Sequence, residues 1–118
     1  MAVAGASQSV TIANNESQSG VFAVPGDGII GLIMPAGWTT AALTFLVSDA
    51  EDGTFAPLYN DSGTEATVAS GNVAASRAIS LSGLAAVLAP WQYMKLRSGT
   101  AGVPVNQGAE RVILVQGR

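Results

Sequence analysis

The side chains that could do chemistry in this chain are its eight acids, its five cations and its hydroxyls, because the sequence contains no histidine and no cysteine. Histidine-based general catalysis, Ser-His-Asp and Cys-His nucleophiles and the usual zinc sites are therefore excluded. A Ser-Lys pair would need Lys95, which is the single lysine. A catalytic lysine requires a buried site, whereas Lys95 stands near Arg97 in a predicted strand. A solvated or interfacial lysine is the better interpretation, and no catalytic residue is predicted.

One group of acids is compact in sequence: Asp49, Glu51 and Asp52 are followed directly by Gly53. Carboxylate oxygens are ligands that calcium prefers. The spacing does not fit an EF-hand loop, which needs alternating ligands and a distal glutamate. The simpler interpretation is an acidic hairpin turn with Gly53 at a positive φ. The remaining acids are spread over turns, so no pair suggests a glycosidase. We predict no metal and no cofactor.

The aromatic residues offer a different kind of site. Trp38 and Trp91, with Tyr59 and Tyr93, could stack on the apolar faces of sugar rings. Aromatic side chains also contribute much of the burial in cores and subunit interfaces. Trp38 and Trp91 are therefore candidate sugar-stacking residues, with a core or interface role as the alternative.

Composition limits the partners of the chain. Its 118 residues suffice for one domain, and charged residues make up 11%, against an ordinary share of about 25%. A weakly charged surface rich in small residues favours packing against copies. The five basic residues are scattered, which excludes a phosphate-tracking nucleic-acid patch. The longest apolar run, residues 29–35, is too short to span a bilayer as a helix, so no membrane partner is expected.

Two-residue periodicity organises the middle of the chain. In residues 38–59, Leu43, Phe45 and Val47 alternate with other residues, which predicts a strand with one buried face and then a hairpin. Residues 29–34 are apolar without alternation, which predicts a strand covered on both faces with Gly31 at a bulge or close approach.

About nine short strands follow from the whole pattern, separated by turn residues. We predict an all-β antiparallel sandwich with at most one short helical turn, at residues 84–88, for which Ser82 is a candidate cap. Residues 1–8 form an N-terminal arm in this interpretation, and residues 9–118 form one domain.

Two blocks of sequence resemble known proteins. Residues 32–39, 43–48 and 58–65 form one block, and residues 91–100, which read WQYMKLRSGT, form the other. Together they resemble small structural proteins of tailed bacteriophages and of gene transfer agents, over roughly residues 20–116. The resemblance implies a virion accessory protein that decorates the head or forms the base of a head spike or fibre. It also implies synthesis in the bacterial cytoplasm.

A looser similarity concerns the discoidin type of jelly-roll sugar-binding module. It is carried by an acidic turn followed by an aromatic, residues 49–55, and by an aromatic strand that ends in basic residues, 91–97. Here the acidic turn is longer than in the modules. This similarity implies a jelly-roll-like fold more than a sugar site.

Association without a chemical step is the expected function. The expected partners are copies of the chain, capsid or other virion proteins and a spike or fibre protein. The expected contacts lie in the N-terminal arm, around Val3 and Val10, and in the loop 102–107, with Val103 and Val105. The alternative is a carbohydrate-binding module that acts in host-surface recognition; an enzyme has no residue constellation behind it.

Overall fold

A computed structural model describes residues 7–25 and 28–117, and these residues confirm the predicted all-β antiparallel sandwich. They form nine strands, as the periodicity predicted. In chain order the strands are β1 (Ser7–Ile12), β2 (Phe22–Ala23), β3 (Ile29–Ile33), β4 (Leu43–Ser48), β5 (Ala56–Pro57), β6 (Thr67–Val68), β7 (Ala78–Ser80), β8 (Tyr93–Ser98) and β9 (Arg111–Gly117).

The strands form two antiparallel sheets. The first sheet has the order β1-β9-β3-β7. The second has the order β2-β8-β4, and β5 and β6 pair with successive parts of the free edge of β4. The jelly-roll topology stays a prediction, because these sheet orders do not by themselves establish it.

The core lies between the sheets and is built from the inward residues of alternating strands. In β9, Ile113 and Val115 are fully buried while Val112 is exposed, which is the period of two that the sequence shows. Phe45 and Leu96 meet them from the second sheet as part of one hydrophobic cluster. Removing this apolar surface from water is the main stabilising term of such a fold.

Strand β4 departs from its prediction. One buried face was expected, yet all six residues are buried, and Leu46 on the outward face is only 5% exposed. Other segments of the chain contact its outward side chains: Oγ1 of Thr44 donates to the carbonyl of Gly99 at 2.7 Å, and Oγ of Ser48 accepts from the amide of Ala50 at 3.2 Å. The predicted hairpin is confirmed, since Val47 pairs with Ala56.

Strand β3, in contrast, is less buried than predicted. Residues 29–34 were expected to be covered on both faces, but Ile30 and Ile33 are exposed, so that prediction is wrong. The lack of alternation has another cause: the pairing with β9 shifts between Ile29 and Gly31. A β-bulge inserts one residue and breaks the simple period. The prediction of a bulge or a close backbone approach at Gly31 is therefore confirmed, since a Cβ there would also lie 3.3 Å from the carbonyl oxygen of Ile79.

Two smaller predictions, the cap at Ser82 and the N-terminal arm, also need correction. A 3₁₀ turn, Ser82–Leu84, leads into the short helix α1 (Ala85–Leu88), but no side chain caps either one, so the cap predicted at Ser82 is wrong. The arm predicted over residues 1–8 overlaps β1, because Ser7 and Gln8 pair with β9; residues 1–6 lie outside the described part.

Among the described residues, no helix has the length and apolar character needed to cross a membrane.

Candidate functional site

The outer face of the first sheet is exposed along all four of its strands. One row of paired outward residues crosses all four strands. Leu114 pairs with Ser9 on one side and with Ile33 on the other. Ile33 in turn pairs with Ala78. Ile33 and Val112 are each 41% exposed. We call this surface the open face; its outward residues are Ser7, Ser9, Thr11, Ile30, Gly31, Ile33, Ala78, Ser80, Val112, Leu114 and Gln116.

The open face carries no charge within its described strands. Among those four strands only Arg111 is charged, and it points to the other side of the sheet. Its Nε donates to Oε1 of Gln107 at 3.0 Å, and its Nη2 donates to Oγ1 of Thr39 at 3.3 Å. The open face therefore offers apolar groups, small side chains and amides, without the charges that ordinarily keep monomers apart.

The outer face of the second sheet is built differently, and we call it the covered face. It carries Arg97, which is buried and pairs with Glu65, and whose Nε also donates to Oγ1 of Thr44 at 3.0 Å. Nearby, Nζ of Lys95 lies 4.9 Å from the centre of the Phe55 ring, within the range of a cation–π contact. Segments of the chain itself complete this face.

The sheet edges are poor sites for adding another strand. Strands β2 and β5 have two residues each, β5 contains Pro57, and β7 has three residues. Short edges and edge prolines limit edge-to-edge pairing. The longer edge strand β1 is bridged, since the amide of Gly20 donates to the carbonyl of Thr11 at 3.2 Å and Ile12 pairs with Ser19. Association through a face is thus favoured over association through an edge.

A shallow depression of about 430 Å³ lies on the open face, between β3, β7 and β9. Gly31 contributes no side chain there; a Cβ would meet the carbonyl oxygen of Ile79 at 3.3 Å and the Cβ of Gln116 at 3.7 Å. Ile33, Ala78 and Gln116 form part of its lining. The depression follows from the glycine and from the small residues of β7.

The loop 99–105, which we call the Val103 loop, projects an apolar residue from a fixed frame. Val103 is 68% exposed. The amide of Thr100 donates to the carbonyl of Val103 at 3.0 Å, and the amide of Val105 donates to the carbonyl of Ser98 at 2.9 Å. Gly99 has φ of 91°, which an L side chain rarely adopts. The loop is thus a tight, hydrogen-bonded turn.

The predicted contact residues fall into different environments. Val3 lies outside the described residues. Val10 is 3% exposed and packs in the core of its own chain, because it lies on the inward face of β1. It therefore offers no surface to a partner. Val105 is half-buried, whereas Val103 is 68% exposed.

Gln107, the last residue of the predicted contact loop, has an internal role that the sequence did not reveal. Its side chain is fully buried; Nε2 donates to the carbonyl of Thr39 at 3.0 Å and to Oγ of Ser98 at 2.6 Å. Its Oε1 accepts from the amide of Thr39 at 2.8 Å as well as from Arg111. All four hydrogen-bonding positions of the amide are used. Gln107 ties the loop before β9 to the residues before β4.

The two tryptophans lie at opposite ends of the sandwich. Trp38 precedes β4, whereas Trp91 precedes β8, whose first residue Tyr93 pairs with Ser48 at the far end of β4. Trp38 is half-buried against the core and donates to the carbonyl of Ala41 at 3.3 Å. The two indoles cannot form a single sugar platform.

Trp91 separates two clefts of about 350 Å³ each. It is 38% exposed, and its Nε1 donates to the carbonyl of Val87 at 2.7 Å, which fixes the ring. Exposed Tyr59 and Asp61 border one cleft, and Gln92 borders the other. This is the aromatic surface with polar neighbours in the described chain that best suits a small polar ligand.

The acidic side chains of the turn that follows β4 face solvent. Asp49, Glu51 and Asp52 are exposed, and no three acidic side chains of the described residues are grouped as metal ligands. Gly53 was expected at a positive φ, which is wrong, since its φ is not in that region. The glycine is required by close approach instead, because a Cβ there would lie 2.6 Å from Oγ of Ser48.

Comparison of the chain with protein-family models, with curated proteins and with solved structures finds no match. The fold and surfaces define a β-sandwich with one exposed, uncharged sheet face and one projecting apolar loop.

Proposed function

We propose that this chain is a structural protein that acts by assembling with copies of itself, without a chemical step. The open face is the observation that supports this proposal. Exposed apolar side chains grouped on one sheet face are costly in water for a monomer and are typical of protein contact sites. Ile33, Val112 and Leu114 form its apolar part, and charged side chains are depleted as at interface cores.

The resemblance to small proteins of tailed phages and gene transfer agents extends the proposal to a virion. In such a particle the chain would decorate the head or form the base of a spike or fibre, in contact with capsid proteins. Repeated contacts on a shell add through multivalency, so each single interface can be modest. This assignment depends on the resemblance, whereas self-association depends on the open face.

Ile33→Lys tests the proposal. The lysine stem preserves part of the side-chain packing while its ammonium places a charge at the centre of the open face. We expect the wild-type chain to show the mass of an oligomer by light scattering, and the variant to show the mass of one chain. Since the variant lowers the net charge from −3 towards zero, general repulsion cannot explain a loss of association.

Thr54→Lys is the matched control, because it adds the same charge at an exposed position in the turn before β5. It should leave the oligomer mass unchanged. A wild-type chain that stays monomeric at all concentrations and is absent from purified particles would contradict the proposal.

Carbohydrate binding is the second candidate, and the clefts beside Trp91 favour it. Aromatic rings flanked by carboxylate and amide groups suit a neutral sugar, which has apolar faces and a rim of hydroxyls. Trp91→Ala should abolish binding on a glycan array, whereas Trp38→Phe should retain it because that ring lies at the opposite end. No binding by the wild-type chain across a broad array would contradict this candidate.

A further inference from the structure

A buried hydrogen-bonded network holds the Val103 loop. Arg97, buried in β8, pairs with Glu65. Both carboxylate oxygens of Glu65 also accept from the amide of Ala101 at 3.2 Å. Oγ1 of Thr44 donates to the carbonyl of Gly99 at 2.7 Å. The loop is thus fixed at its first residue and again two residues later.

A buried ion pair adds little net stability compared with apolar residues of similar volume. Fixing a loop before association, however, lowers the entropic cost of binding. The residue at the tip of this fixed loop, Val103, is the most exposed large hydrophobic residue of the described chain. An aliphatic side chain held on a rigid frame can serve as an anchor that fills a pocket on a partner.

The depression on the open face suits this knob, because it is uncharged and lies on the surface already proposed for self-association. The Val103 loop, residues 99–105, is uncharged, and the depression at Ile33, Ala78 and Gln116 is lined by uncharged residues. Burying either surface against the other leaves no unpaired charge, whereas a strongly charged partner would find no complement on either. Its volume of about 430 Å³ lies within the range of pockets that hold a ligand group.

One molecule cannot fill its own depression. The Val103 loop continues β8 of the second sheet, while the depression lies on the outer side of the first sheet. The two surfaces belong to opposite layers of the sandwich. A contact between them therefore joins unlike surfaces of two copies, which is a heterologous contact and generates a ring or an open filament.

We propose that the Val103 loop of one copy docks into the β3–β7 depression of the next. This inference depends on the proposed self-association and specifies which surfaces meet. It predicts head-to-tail assembly, in contrast to a two-fold dimer in which two open faces pack against each other.

Disulfide cross-linking tests the pairing, because the chain has no cysteine of its own. Val103→Cys and Ala78→Cys are made as separate variants, mixed and oxidised mildly. A disulfide needs Cα atoms within about 7 Å, so cross-linking reports direct contact. We expect the mixed pair to give a cross-linked dimer in several-fold higher yield than either variant alone. The chain with both cysteines should give a ladder or a closed ring.

Two further variants keep the test independent of folding. Val103→Asp should reduce the light-scattering mass to that of one chain while leaving the thermal unfolding midpoint unchanged, since Val103 makes no core contact. Thr54→Cys mixed with Ala78→Cys should not cross-link above background.

The outcomes separate this inference from the proposed function. A wild-type oligomer that persists in Val103→Asp, with no cross-link between residues 103 and 78, would overturn the docking and leave self-association standing. Efficient cross-linking of Ala78→Cys to itself would indicate a two-fold contact of open faces and would also overturn the docking. A wild-type chain that is monomeric in solution and absent from purified particles would overturn both.

Discussion

The two outer faces of the sandwich differ in how far the chain itself buries their side chains. On the covered face, Leu46 is almost fully buried, and Arg97 pairs with Glu65 from another segment. On the open face, Ile33 and Val112 remain exposed although their residue types are at least as apolar. The chain completes one face itself and leaves the other to solvent or to a partner.

This difference shows that exposure here does not follow from polarity. The covered face buries charged groups, which is costly unless they are paired and hydrogen-bonded. The open face exposes apolar groups, which is costly unless a partner covers them. The cost of the buried charges is explained if the covered face fixes the Val103 loop. The cost of the exposed apolar groups is explained if the open face receives that loop from another copy.

Replacement of Arg97 should give the largest loss of unfolding free energy among the variants considered. Arg97→Ala leaves the carboxylate of Glu65 without its partner, and breaking a buried pair costs about 3–5 kcal/mol of unfolding free energy. Urea unfolding followed by circular dichroism measures this loss.

Arg77→Ala is the matched control, since Arg77 is exposed and donates only to the carbonyl of Asn72 at 3.1 Å. It should change stability by less than about 0.5 kcal/mol. The double change Arg97→Met with Glu65→Leu should recover most of the loss. Equal losses in the Arg97 and Arg77 variants would show that the covered face does not depend on its ion pair.

Truncation of one apolar residue on each face compares the faces directly. Leu46→Ala should cost about 2–5 kcal/mol, because its side chain is buried within the chain. Ile33→Ala should cost less than about 1 kcal/mol when measured at a concentration where the chain is monomeric. If both variants lose the same stability under those conditions, then the open face is already covered within one chain.

Gly99→Ala should give a smaller effect that is specific to the Val103 loop. A Cβ at Gly99 would lie 2.4 Å from the carbonyl oxygen of Val103, and φ of 91° disfavours any L side chain by at least about 1–2 kcal/mol. Gly102→Ala is the control, since a Cβ there meets nothing within 4 Å. We expect lower stability and weaker association for Gly99→Ala only; association that is unchanged would separate the loop from the interface.

Val112→Thr should give the smallest effect on stability. It tests whether Val112 on the open face takes part in association. The two side chains have nearly the same shape, and both suit a strand. The change should alter the unfolding free energy by less than about 0.5 kcal/mol while shifting the association midpoint to higher concentration by light scattering. An unchanged midpoint would place Val112 outside the interface.

Much of the fold could be predicted from residue spacing. Strands were predicted from two-residue alternation, as at residues 43–48, and from apolar runs between turn residues, as at residues 29–34. The residue types at 60–63 indicate a turn. In that turn Gly63 has φ of 81°, and Oδ1 of Asn60 accepts from the amide of Ser62 at 2.9 Å. These features are decided within a few residues, so a local pattern reports them.

The candidate site was predicted in part. Val103 was predicted as a contact residue because it lies in a loop long enough to carry a function. The open face was missed, because the apolar run at residues 29–34 indicated coverage on both sides. Gln107 was missed because nothing in its neighbourhood shows that its partner is Thr39, 68 residues away.

The sequence by itself determined which segments become strands, where they turn and which side chains point inward, because those properties depend on neighbours along the chain. Tertiary structure alone decided which outer face is covered. That outcome depends on distant segments that return to a sheet, as Glu65 does to Arg97 across 32 positions. Contacts of that kind have no periodicity in the sequence, since only the folded sheets bring the two residues together.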